Sequence, residues 1–302
     1  MTESEGGLEE FRLERMTWRD VEAATAETST LLLPVGATEQ HGHHMPLGVD
    51  TLMPEAIGER VAEEVPALLA SAVPYGVSEH HTFKPGTFTV ESETFRRYVR
   101  DVAGSAAEWG IGHVLLLNGH YLAQDPELEV VVRDLRTEFD LAAFHVPLID
   151  VFSDAAARVR DSGVTFHASE FETSLMLELF PDLVRMDEAE AVDPPAESLP
   201  LTDYDALGDN RVGWALTATD MAALTDTGNL GDPTSATAAK GREMTDEAVE
   251  NLVTLVAALE RGDRNGVATT DAADRDGVAD DRGDGANRGR DDAEAGDRRD
   301  GA

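Results

Sequence analysis

Four short apolar runs, each ending abruptly in polar residues, constrain this chain more than any other feature. They are Leu31-Leu32-Leu33-Pro34-Val35-Gly36, residues 69–75, Val114-Leu115-Leu116-Leu117-Asn118 and residues 142–148. Continuous apolarity over so few positions is the pattern of strands buried on both faces, as parallel strands are. Helical spacing lies between them: Phe95, Val99, Val102 and Ala106 share one face, and Leu128, Val132, Leu135 and Phe139 share another. Gly110 supplies a stop after the first helix, and Asp125-Pro126 a start for the second. Strands alternating with helices predict an α/β fold of three layers, a mostly parallel sheet with helices on both faces. In such sheets chemistry collects beyond the carboxyl ends of the strands.

Charge and composition narrow the partners. The formal net charge is -36, from 60 Asp and Glu against 24 Lys and Arg. Such a field repels nucleic acid and anionic membranes. The acidic residues run the whole length, while lysine occurs only at Lys84 and Lys240. That distribution suits solubility in concentrated salt, where carboxylate repulsion is screened, and a halophilic source is expected. No stretch is long and apolar enough to span a bilayer and the N-terminal residues lack an apolar segment, so a cytoplasmic location is expected. Residues 1–261 read as one folded domain. From 262 to 302 the chain becomes Asp, Arg, Gly and Ala, with Val267 and Val278 almost its only larger apolar residues. This is the composition of an acidic disordered tail, with a partner-binding segment as the alternative.

The densest polar cluster, Glu39-Gln40-His41-Gly42-His43-His44, follows the first strand and is followed by Asp50. Glu39 and His41, two apart in extended backbone, project to the same side and can share a cation. With no cysteine in the chain, any metal has to be held by imidazole and carboxylate. Asp50 opens a helix marked by Leu52, Ala56 and Val61, where capping is its ordinary role. Asn118-Gly119-His120-Tyr121 ends the strongest strand, and His120 points to the same crevice if the two strands are neighbours. A third cluster, residues 167–174, holds His167, Glu170 and Glu172 ahead of an apolar helix closed by Pro181. Ser169 and Glu172 have the spacing of a capping box, so Glu172 is open to a structural or a functional reading, as is Glu170. The loop at 76–87 carries Ser78, His80 and His81. Its histidines are candidate ligands, though loop histidines are more often simply at the surface. Ser78 lacks the surroundings of a nucleophile elbow, which disfavours a serine hydrolase.

Together these runs, Leu33 to Gly42, Pro46 to Thr51, Glu79-His80 with Pro85-Gly86-Thr87, Asn118-Gly119-His120 and His167 to Ser174, resemble the ordered motifs of the creatininase (creatinine amidohydrolase) family. The resemblance implies a creatininase-like fold, a homo-oligomer (hexameric in the family), and a metal-dependent amidohydrolase acting on an amide, cyclic amide or formamide C–N bond of a small molecule. It also implies two divalent ions, zinc, manganese or iron: Glu39 on one, His41 on the other, Asp50 bridging and His120 completing the first set. His167 would then protonate the departing nitrogen, Glu172 would act as a base or steady the metal set, and Ser78 and Tyr121 would line the substrate pocket. Where creatininases carry Glu directly after this tyrosine the chain has Leu122, so Glu170 or Glu172 is expected to replace that ligand. The Trp that creatinine-hydrolysing members place before the third-cluster histidine is absent from Ser162-Gly163-Val164-Thr165-Phe166, which argues against creatinine itself. A peptide-cleaving maturation enzyme and an inactive metal-binding homologue are the alternatives.

Overall fold

Strand β1, Thr30–Val35, lies in the middle of the sheet and is buried at every position. The computed structural model describes residues 7–194, 204–208 and 216–262. All belong to the first of two units, 1–268 and 269–302. The tail expected at 262–302 lies outside the described residues apart from Gly262. In chain order the elements are α1 Trp18–Ala24, β1, α2 Val49–Glu64, β2 Leu68–Leu69, α3 Ser92–Ser105, β3 His113–Asn118, α4 Asp125–Glu138 and β4 Ala142–Pro147. There follow α5 Leu148–Val151, α6 Ser153–Val159, β5 Thr165–His167, α7 Glu170–Leu179, α8 Ala218–Leu224, β6 Leu230–Gly231 and α9 Ala238–Glu260.

Four parallel strands pair in the order β2-β1-β3-β4, with β5 and β6 forming a small antiparallel pair. Alternate strand residues feed two cores, because side chains on a strand alternate between faces. On one side Leu32, Leu115 and Leu117 pack with residues of α2, α7 and α9 such as Ile57, Phe171 and Leu252. On the other, Leu31, Leu33 and Leu116 pack with Phe95 and Val99 of α3 and Leu128 of α4. Each fully buried leucine stabilises the fold by roughly 1.5–3 kcal/mol, which lets one edge of the sheet carry buried charge.

Two expectations change in detail. The strand expected at 69–75 shrinks to Leu68–Leu69, with Val73 bridging back to Val35. Pro34 turns its carbonyl toward that side, accepting from Val73 N at 2.9 Å, but has no N–H to give there. The inner face of α3 is Phe95, Val99 and Ala103, while Val102 is 36% exposed. A step of four follows 3.6 residues per turn more closely at this face than the expected step to 102.

Candidate metal centre

The register of the sheet builds the site. Val35 pairs with Asn118, so the next residues, Gly36 and Gly119, leave their strands side by side. A Cβ on Gly119 would lie 2.0 Å from the Asp50 carbonyl oxygen, and one on Gly36 2.4 Å from it. Bare backbone at both positions therefore lets the first turn of α2 settle on the two strand ends and drive Asp50 between them. Gly48 is the N-cap of this helix and no side chain caps it, so Asp50 is not spent on capping.

Asp50 is 1% exposed and faces a histidine from each strand end. Its Oδ1 lies 3.1 Å from His41 Nε2 and its Oδ2 3.3 Å from His120 Nδ1. The far nitrogen of each ring meets a backbone carbonyl, His41 Nδ1 at 3.2 Å from Glu39 O and His120 Nε2 at 3.1 Å from Val77 O. A carbonyl only accepts, so it draws the ring N–H and leaves the lone pair directed at Asp50. This is how metal-ligating histidines are commonly held. Glu39 adds a carboxylate with no exposure, its Oε2 3.4 Å from His120 Nε2.

Glu172 completes the group from α7. Its Oε2 accepts from Ala168 N at 2.5 Å and its Oε1 from the Tyr121 hydroxyl at 3.1 Å. The capping box suggested by Ser169 and Glu172 does not form, since the Ser169 side chain makes no capping bond. Instead Ala168, at a left-handed φ of 49°, turns its N–H onto Glu172. Among the described residues, three sets of side chains offer ligand atoms within 4.8 Å of one another: Glu39, His80 and His120; Glu39, His41 and His167; and His41, Asp50 and Glu172.

Both oxygens of Glu39 and Oδ2 of Asp50 lack a hydrogen-bond partner, although they are buried among the described residues. Burial pushes the Glu39 carboxyl up to about 8. For His41, burial opposes the charge but the Asp50 carboxylate outweighs it, and the ring rises to about 10. For His120, burial is likewise outweighed by Glu39 and Asp50, and the ring rises to about 9. Burial raises Glu172 as well. The cluster thus calls for positive charge, which among the described residues is met by protons on its own histidines. A divalent cation would satisfy the orphaned oxygens and free the ring nitrogens as ligands, so the donor set fits one.

The other candidate residues distribute around this core. His167 Nε2 lies 2.8 Å from Gln40 O, which places Nδ1 toward Glu39 Oε1 at 3.8 Å. Burial holds its imidazole well below the usual range. Ser78 is fully buried, and its hydroxyl, lacking a well-aligned partner, still lies near enough to Glu39 to favour the charged carboxylate. Glu170 does not reach the centre and is not one of its ligands. Its carboxylate accepts from Ser162 N at 2.8 Å, Asp161 N at 3.0 Å and Lys240 Nζ at 2.5 Å. Two residues apart on a helix, side chains point about 200° away from each other, so only one of Glu170 and Glu172 can face the cluster. Leu122, 45% exposed at a φ of 62°, contributes nothing to the centre, and Glu172 stands with His41 and Asp50 instead.

Sequence reasoning left His80 open between a ligand and a surface histidine, and it passed over Gln40. Gln40 Nε2 donates to His81 Nδ1 at 2.8 Å while the Gln40 backbone carbonyl accepts from His167 Nε2 at 2.8 Å, so this one residue ties the 76–87 loop to the third cluster. The available signal was position, because this loop follows a strand at the same edge of the sheet.

Comparison with known proteins identifies the family. The family model for creatininase (creatinine amidohydrolase) matches residues 14–256. A creatinine amidohydrolase from Pseudomonas putida is 35% identical over 206 residues, covering 62% of this chain and 78% of that protein. A mycofactocin precursor peptide peptidase from Mycobacterium ulcerans is 32% identical over 239 residues, 76% of this chain and 84% of the relative. A solved mutant creatininase of Zn-Zn type superposes with a TM-score of 0.68 at 28% identity, over 82% of this chain and 98% of the other. With the motifs, the sheet and the buried carboxylate-imidazole cluster in agreement, the chain belongs to the creatininase family.

Proposed function

We propose that the chain is a two-metal hydrolase of a non-peptide C–N bond, in a small amide, cyclic amide or formamide. The observation that carries this reading is Asp50, whose two oxygens address His41 and His120 from between two strand ends. Glu39 and His120 would serve the first ion and His41 and Glu172 the second, with Asp50 shared. Bound divalent ions would supply Lewis acidity for a carbonyl and water of lowered pKa. The chain's own residues do the rest. Glu172, held by Ala168 N–H and the Tyr121 hydroxyl, keeps a fixed carboxylate beside the reacting groups. His167, its Nε2–H occupied by the Gln40 carbonyl, has the Nδ1 lone pair left to take a proton from the attacking water and pass it to the departing nitrogen. Tyr121 and Ser78 line the substrate side.

The test is a panel of creatinine, other cyclic amides, formamides and short peptides, assayed with chelated and metal-reloaded protein. Metal-restored turnover of a small amide is expected, with creatinine a poor substrate. Turnover confined to peptides would favour the second reading, a peptide-cleaving enzyme, which the 76% coverage of this chain by the mycofactocin peptidase supports. Full activity after complete metal removal would remove the metal from the mechanism.

A further inference from the structure

The 76–87 loop brings a third histidine to one side of the cluster, a side chain that the ligand set implied by the family motifs does not use. His80 sits in a single 3-10 turn, Glu79–His81. Its neighbours in the turn diverge: Glu79 is exposed, His81 is buried with Nδ1 on Gln40 and Nε2 3.4 Å from Glu39 Oε1, and His80 is half-buried. The His80 ring lies parallel to that of His120, 5.7 Å between centroids and 11° between planes. A ring nitrogen of His80, one of His120 and a carboxylate oxygen of Glu39 fall within 4.8 Å of one another. No hydrogen bond engages the His80 ring nitrogens among the described residues, whereas His41, His81, His120 and His167 each have one. Both Glu39 oxygens, completely buried, also lack such a partner.

We propose that His80 is a direct ligand of the first ion, completing with Glu39 and His120 a set that matches His41, Asp50 and Glu172 on the second. This rests on the metal-centre reading above. The geometry that carries the assignment is the placement of this ring: parallel to a candidate ligand ring and within ligand reach of a buried, unpartnered carboxylate. Each ion then has three side chains of its own, counting Asp50 with the second, and Asp50 remains free to bridge. The loop that carries Ser78 on the substrate side becomes fastened to the first ion through His80, so metal occupancy would also order that wall of the pocket.

The experiment titrates cobalt(II) into full-length, chelator-stripped protein, following heat and the visible cobalt spectrum, for the wild type, His80→Ala, His80→Phe and His43→Ala. His80→Phe keeps a flat ring against His120 but has no donor atom, and the exposed His43 is the control. The wild type is expected to bind two ions. Both His80 variants should keep the melting temperature of the stripped protein, weaken one ion on the order of 10²-fold, the upper range for perturbing a metal site's supporting residues, and shift the cobalt absorption. His43→Ala should titrate as the wild type. If His80→Phe and His80→Ala bind both ions with wild-type affinity and spectrum, His80 is not a ligand and the two-metal centre stands without it. If the wild type binds no ion at the cluster, both the ligand assignment and the metal reading fall.

Discussion

Glu170 and Glu172 are two positions apart on α7 and serve unrelated purposes. Glu170 fastens the backbone of residues 161–162 and Lys240 of α9 to the start of the helix, while Glu172 faces His41 and Asp50. Glu172→Gln should therefore lower turnover on the order of 10²-fold with little change in melting temperature. Glu170→Gln should do the reverse, costing roughly 1–3 kcal/mol through its buried ionic hydrogen bonds and sparing metal content. Ser169→Ala should change neither, since its side chain makes no cap. Paired thermal melts and kinetics on the three variants check this, and loss of turnover in Glu170→Gln with Glu172→Gln unaffected would reverse the assignment. At this scale Glu39, His41 and His120 were legible as candidates because they come after strand ends at the carboxyl edge, whereas Asp50 read from its position as a cap and entered the set through the family motifs. The choice between Glu170 and Glu172 was not legible, because it depends on the rotation of α7 against the sheet. The place of His80 was not legible, because nothing in its turn shows which of two consecutive histidines lies against the His120 ring.

The decisive element is α2, whose first turn lies on glycine backbone at the ends of β1 and β3. Gly119→Ala would place a methyl group 2.0 Å from the Asp50 carbonyl. The helix must retreat, at a cost of about 1–3 kcal/mol or more for overpacking, and Asp50 retreats with it. Lower melting temperature and weaker metal binding should appear together. Gly163→Ala, where a Cβ meets nothing within 4 Å, is the comparison expected to leave metal binding intact. Unchanged metal affinity in Gly119→Ala would mean that α2 does not position Asp50. The strands and the starts of α2 and α4 were readable from apolar runs and from Asp125-Pro126, which are local signals. The shortness of β2 was not, since it arises from the missing N–H of Pro34 on a neighbouring strand.

For the whole molecule, α9 closes the fold by returning to the start of β1. The Glu260 carboxylate accepts from Thr28 Oγ1 at 3.0 Å, Ser29 N at 3.1 Å and Thr30 Oγ1 at 2.5 Å. We propose that the domain ends with this clasp and that residues 262–302 are dispensable. A chain ending at Arg261 should keep its melting temperature and activity, whereas one ending at Leu259 should lose several degrees, at roughly 2–4 °C per kcal/mol for a domain of this size. A large loss of stability on removing 262–302 alone would assign that segment to the folded unit.

We propose that two ions share Asp50. Anomalous diffraction from crystals of the metal-loaded protein, collected on both sides of the metal's absorption edge, tests it directly. Two peaks about 3.5–4 Å apart are expected, one among Glu39, His80 and His120 and one beside His41 and Glu172, with Asp50 between them. A single peak away from Asp50, or none within reach of these side chains, would contradict it.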